Sequence, residues 1–376
     1  MESRCYQGSS SMILLISAII FCLVVIAPNA WASYHSDLNA GPVTSQDTTR
    51  TGTQQKANAI DARIRSVMSP GPTVLVSNQI PKPVHEASFF GSDRITDAMV
   101  GNDGMVGIDM PGTMTGLSSG GQGSPFCVWV SATASALRND LISTKYDGHL
   151  YLMMIGLDYR VNKNLLLGMA IGYEWTELAT IFNNGSMESD GFSISPYAAY
   201  LINDSFSIDL MVSFSDLDYD TERMFTTVYG DYDADRIMVS SNLNYYYLVG
   251  NWCLNARLGY MYAEEDADGF TESNGARIRQ NDTDFGEIRF GGQASYFIND
   301  FELFFAAYYH YDTTMDRTRV EANMKRPSND KDEVETTAGV NVLANDTLQF
   351  GAEVSRIFGR DDVENTSVLM NLRIMF

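Results

Sequence analysis

The chain has too few cysteines to be held by a disulfide framework. Four are present in 376 residues, and Cys5 and Cys22 fall in the first 32. The remainder keeps Cys127 and Cys253, one pair for more than 300 residues. Beyond the extreme N-terminus there is no run of about 18 apolar residues, which excludes helical membrane spans. Basic residues are scarce: Lys and Arg total 25 against 47 Asp and Glu, a net charge of −22. That balance argues against nucleic acid and anionic lipid as partners. Proline is sparse as well, and histidine occurs only at His35, His85, His149 and His310. No Ser–His spacing among them suggests a triad. Neither catalytic nor cofactor-binding residues are read from the sequence.

The N-terminus carries an export signal. Arg4 precedes the apolar run Met12–Ala27, and Ala30-Trp31-Ala32 follows Pro28. Small residues at Ala30 and Ala32 place cleavage before Ser33. Cys22 has no lipobox ahead of it (Ile19-Ile20-Phe21). Residues 1–32 are therefore expected to be removed.

Residues 33–125 are rich in Ser, Thr, Gly, Asn and Asp and close on a linker-like run, Gly116 to Pro125. Within them Ala57, Ile60, Ile64 and Met68 recur at helical spacing over Gln54–Met68. A helix of that length is marginal alone, so the segment is expected to be mostly unstructured.

Residues 126–376 follow a different rule, alternating apolar with polar or small residues at the strand period of two. Leu165, Leu167, Met169, Ile171 and Tyr173 oppose Leu166, Gly168, Ala170 and Gly172; Phe206, Ile208, Leu210, Val212 and Phe214 oppose Ser207, Asp209, Met211 and Ser213. Short Asn-centred turns stand at 162–164, 203–204, 250–251, 299–300 and 345–346. Long polar loops are expected near 138–148, 177–189, 216–234, 263–284, 313–332 and 358–366. Five short turns and six long loops connect twelve strands.

Strands of ten to twelve residues match a tilted bilayer crossing better than a sandwich. Short turns alternating with long loops are the asymmetry of outer-membrane barrels. Tyr159, Tyr200, Tyr245, Tyr247, Trp252 and Tyr296 collect near the short-turn ends, and Trp175, Tyr260, Tyr262, Tyr309 and Tyr311 near the long-loop ends. These are the two interfacial girdles of such barrels. The fold expected is all-β, a closed antiparallel transmembrane barrel of about twelve strands in outer-membrane lipid. Cys127 and Cys253 share lumen parity on strands one and seven, too far apart to bond.

The last strand alternates Val368, Met370, Leu372 and Ile374 up to Phe376. With the opening Trp129-Val130-Ser131 and the Gly/Tyr-rich hairpins, this resembles the autotransporter β-domain of type V secretion. The resemblance implies that Val368, Met370, Leu372, Ile374 and Phe376 are read by the barrel-assembly machinery. It also implies an N-terminal extension that threads the pore and is displayed outside. The chain departs from the family in having fewer than about 95 residues before the barrel, without repeats. The run before strand one is Gly-rich, where the family usually has a helix. The alternative is a free-standing pore or surface antigen acting through its loops on an unknown surface ligand.

Two further expectations concern the inside and the loops. Small lumen residues, Gly168, Ala170, Gly172, Gly259, Gly291, Gly339 and Gly351, leave room for a threaded segment that Glu287 and Arg289 would bind. His310 is expected beside Glu302 and Asp312. The acid clusters Asp216–Glu222, Asp231–Asp235 and Glu264–Asp268 lack the twelve-residue calcium-loop pattern and read as solvated loops, so no metal ligands are assigned.

Overall fold

The computed structural model describes residues 39–69, 125–315, 325, 330–345 and 347–375. Twelve long strands form one closed sheet. They are β1 (Phe126–Asn139), β2 (Tyr146–Arg160), β3 (Leu165–Thr180), β4 (Gly185–Asn203), β5 (Phe206–Arg223), β6 (Val228–Val249) and β7 (Trp252–Ala267), then β10 (Asn281–Ile298), β11 (Phe301–Met315), β12 (Asp332–Asn345), β13 (Leu348–Phe358) and β14 (Val363–Met375). The two-residue strands β8 (Phe270–Thr271) and β9 (Arg277–Ile278) pair apart from the barrel. Every barrel strand pairs antiparallel with its neighbours, and β14 closes on β1 from Cys127↔Met375 to Asn139↔Val363. Closure leaves no strand edge unpaired, which lipid could not have satisfied.

The period of two sets the two faces. On β3, Leu167, Met169 and Ile171 are 46%, 52% and 53% exposed, whereas Leu166 and Ala170 between them are 1% exposed. The outward faces form an apolar belt, rimmed by aromatic pairs. Phe126–Tyr159, Phe206–Tyr245 and Trp252–Tyr296 each have ring centroids 4.8 Å apart at the short-turn rim. Tyr151–Trp175 at 5.0 Å and Tyr173–Phe192 at 4.8 Å mark the other rim. The short turns use Asn in two ways. Asn299 and Gly250 adopt positive φ, 52° and 58°. The Asn162 and Asn203 side chains instead accept backbone N–H bonds, from Asn164 and Leu165 and from Ser205 and Phe206.

The strands run further than the apolar stripe. Residues 216–223 belong to β5 and 228–235 to β6, not to a loop. Asp216, Asp218 and Asp220 face Asp235, Asp233 and Asp231 directly across the ladder, on the outward face. The end of the outward apolar pattern marks the end of the belt, whereas backbone pairing continues wherever the inward face still packs. Leu217, Tyr219 and Tyr232 supply that inward packing and are buried. The same holds for β4, which begins at Gly185 inside an expected loop.

The segment before the barrel is not structureless. Gly41–Met68 forms one helix of 28 residues, α1, starting 13 residues before the predicted Gln54. Pro42 stands in its first turn, the Gly41 N–H donates to Asn39 Oδ1 at 2.9 Å, and the Ser69 N–H donates to Arg65 O at 2.8 Å. Its first half, rich in Thr and with Gly52, is a poor helix former. Inside the barrel little water can serve the backbone, so its polar groups bond along the helix axis.

Candidate functional site

The lumen is filled by α1, buried on every side; even Lys56 is only 1% exposed. Its C-terminal half brings a stripe of Ala57, Ile60, Ile64, Val67 and Met68 into one buried cluster with Trp129, Leu152, Met154 and Leu166 of the wall. That stripe is the predicted one. The rest of the helix is polar; Arg50, Lys56, Asp61, Arg63 and Arg65 each meet an opposite charge on the wall, and Asp47 accepts from the Tyr146 hydroxyl at 2.7 Å.

The direction of the helix follows from its ends. Asn39 Nδ2 donates to Thr221 Oγ1 at 3.1 Å and to Glu272 Oε1 at 3.0 Å, at the long-loop mouth. Arg223 also donates to Glu272, from Nε at 2.9 Å and Nη2 at 2.6 Å. Burial raises the Glu272 carboxyl, but these donors outweigh it and hold the group below the usual carboxylate range. At the other end, Ser69 lies 3.6 Å from Cys253 Sγ, and Val67 and Met68 border Arg160 and Leu165 of the β2–β3 turn.

Between these ends lie four charge clusters. Arg50 donates to both oxygens of Asp312 at 3.1 Å and lies 2.7 Å from Glu333 and 3.4 Å from Glu287. On the opposite wall Lys56 meets Glu174 at 2.7 Å, and Arg236 joins Glu174 to Glu265. Asp61 accepts from Asn242 at 3.0 Å, Arg257 at 2.9 Å and Arg289 at 3.3 Å. Nearest the short turns, Arg63 grips Asp158 with bonds of 2.6 and 2.8 Å. Glu287 and Arg289 thus bind the threaded segment as expected, through Arg50 and Gln54 on one side and Asp61 and Asn58 on the other.

The small wall residues play a different part from the one expected. A Cβ on Gly168 would run into the Tyr197 ring, and one on Gly259 into the Asn242 amide. These glycines make room for neighbouring wall side chains, not for the helix. Close approach of helix and wall is set by Gly52, where a Cβ would stand 2.8 Å from Arg236 Nη1. His310 shares the buried inward face of β11 with Asp312, as expected, but it faces Glu287, Glu333 and Glu335, and Glu302 lies apart from it, bonded by Asn341 toward the short turns. His149 stacks outward on Tyr151, centroids 6.0 Å apart.

A closed twelve-strand barrel with a helix through its lumen invites comparison with known proteins. The family model of the autotransporter beta-domain matches residues 128–355. The chain belongs to the autotransporter β-domain family. Its fold is similar to the translocator domain of autotransporter NalP from Neisseria meningitidis, at 14% identity and a TM-score of 0.58, over 69% of this chain and 92% of that one. The beta domain of the Bordetella autotransporter Brka gives 17%, 0.56, 67% and 100%, and the transport unit of AIDA-I from Escherichia coli gives 15%, 0.55, 69% and 92%. No curated protein matches the sequence. At these identities the structures establish the fold, and the family places the autotransporter barrel in the outer membrane, its belt in lipid.

Val368, Met370, Leu372 and Ile374 share the outward face of the closing strand, opposite Ala134, Ala132, Val130 and Val128 of β1. Phe376 and the cleavage residues Ala30, Ala32 and Ser33 lie outside the described residues. Cys127 and Cys253 are both free and buried. Sequence reading missed Arg50, Lys56 and Asp61, which look like solvated charges in a polar run. Their opposite charges on the wall are the signal, and they are recognisable only once a lumen is assumed.

Proposed function

We propose that the protein is a translocator barrel that anchors its own N-terminal end at the cell surface and closes its pore with α1. The carrying observation is the direction of the helix. Short turns are periplasmic in such barrels, so the Asn39 end opens to the outside and the Ser69 end to the periplasm. Whatever precedes Asn39 after export is displayed. Residues 70–124 are retained inside, a reading supported by their flanks: Ser69 sits by Cys253 and Pro125 O accepts the Arg160 N–H at 2.9 Å, both at the short-turn mouth. This narrows the passenger expected over 33–125 to its first part. The buried charge clusters favour this reading over a free-standing open pore.

The outward residues Val368, Met370, Leu372 and Ile374, with Phe376, are assigned to recognition by the assembly machinery on the strength of the family resemblance. No catalytic step is assigned: His310 faces carboxylates and His149 faces the outer surface.

Epitope tags test the arrangement. A tag just before Asn39 should be stripped by protease on intact cells, and a tag within 70–124 only after the outer membrane is permeabilised. Loss of both tags from intact cells would mean that the whole segment is displayed. Retention of both would mean that nothing is.

A further inference from the structure

The outer half of the lumen wall brings an imidazole and several carboxylates together on three adjacent strands. Ligand atoms of Glu287 (β10), His310 (β11) and Glu333 (β12) lie within 4.8 Å of one another, all buried. His310 Nδ1 is 3.0 Å from Glu287 Oε1 and 3.6 Å from Glu333 Oε1. Ligands about 2.0–2.1 Å from a tetrahedral ion stand roughly 3.3–3.4 Å apart, a value that these two separations bracket. Glu287 Oε1 and both His310 nitrogens have no aligned hydrogen-bond partner although they are buried, so the atoms facing one another are left for a further ligand. Behind the ring, Nε2 stands 3.4 Å from Glu335 Oε2. A carboxylate there orients an imidazole so that its other nitrogen points at a metal.

Charge balance leads to the same place. Glu287, Asp312, Glu333 and Glu335 bring four negative charges, and Arg50 and Arg360 two positive ones. Arg289 passes 3.8 Å from Glu287 but is held with Arg257 by Asp61, next to Asp209. A neutral imidazole and one divalent cation close the balance, whereas an imidazolium alone leaves a negative charge over. A small cavity reaches the His310 ring on its Glu335 side, and shares Arg65 and Glu353 with a second one toward the short turns.

The geometry points to a site for one divalent transition-metal ion of the zinc class, ligated by His310 Nδ1, Glu287 and Glu333, with water completing the set. Imidazole with carboxylates suits Zn(II) and its neighbours rather than Ca(II) or Mg(II). The ion ties β10, β11 and β12 together and grips the helix through Gln54, which donates to Glu287 at 2.9 Å and Glu333 at 3.2 Å. Arg50 keeps its two bonds to Asp312 and yields its Glu333 oxygen to the ion.

The full chain, refolded in detergent and stripped with chelator, is titrated with Zn(II) by calorimetry and with Co(II) by visible absorption. One ion per chain and the ligand-field band of four-coordinate Co(II) are expected. Glu287→Gln and His310→Ala should each weaken binding by about tenfold or more, while His149→Ala changes nothing. Heat-modifiable migration certifies that each variant is closed, and Glu333→Gln replaces any that is not. No uptake by the wild type, wild-type affinity in His310→Ala, or equal loss in His149→Ala overturns the site.

Discussion

Arg63 and Asp158 show how single residues hold the helix in place. Both are buried, and the guanidinium meets the carboxylate through two short bonds. Such a pair adds little over a matched apolar pair, but breaking it strands a charge. Arg63→Ala should therefore destabilise by about 3–5 kcal/mol, seen as a lower urea midpoint in detergent. The double variant Arg63→Leu, Asp158→Leu should recover most of the loss. If the double variant is worse than the single one, the pair is a stability source and not only a balanced cost. On the outer face the governing variable is depth. Leu210→Arg, in the middle of the belt, should cost about 2–4 kcal/mol, whereas Asp218→Arg, above it, should cost almost nothing. Equal damage at the two sites would misplace the belt. Ser213, which sequence parity alone would offer as a tolerant control, is 1% exposed and bonded by Ser195 in a filled lumen; it will not accept Arg.

At the scale of elements, the strands were legible and the helix only half so. A strand of this barrel has one face in lipid, and lipid demands an apolar side chain at every second residue, so Leu167, Met169 and Ile171 announce β3. Where the bilayer ends the demand ends, and the outer parts of β4, β5 and β6, with their Asp ladder, read as loops. Helix α1 shows the same logic in reverse. Its second half meets an apolar patch around Trp129 and Leu152 and therefore carries the stripe Ala57, Ile60, Ile64, Met68. Its first half meets carboxylates and hydroxyls, so Thr44 to Gln54 follows no apolar period. The outer end of the helix depends on one carboxylate. Glu272 is more acidic in the folded protein than in an unfolded chain, so its contribution is present above the ordinary carboxylate pKa. It is lost as the pH falls through the depressed value. Amide exchange in the first turn of α1, corrected for intrinsic rates, should accelerate below that range. Glu272→Gln should remove the dependence; an unchanged acid response in that variant would assign it to another group.

For the whole molecule, the question is whether barrel and helix need each other. The wall is specified by twelve consecutive antiparallel pairings, closed by β1 and β14 and driven outside by an apolar belt. None of these involves α1. The lumen surface, by contrast, makes sense only with the helix present. Without it the wall would expose the carboxylates of Asp158, Glu174, Asp209, Glu265, Glu287, Asp312, Glu333 and Glu335, which outnumber the guanidiniums of Arg236, Arg257, Arg289, Arg360 and Arg373. Deleting residues 41–68 should therefore leave a barrel that still shows heat-modifiable migration. Its conductance in planar bilayers should rise, because the helix no longer fills the lumen. The pore should also select cations, since the unmatched carboxylates raise the local concentration of counter-ions, and the selectivity should fade as salt screens them. A deletion variant that cannot close would make α1 part of the barrel's folding core. One that closes without a rise in conductance would mean that the wall collapses inward on its own side chains, with the aromatic rings now lying over Gly156 and Gly168 as the first to fill the space.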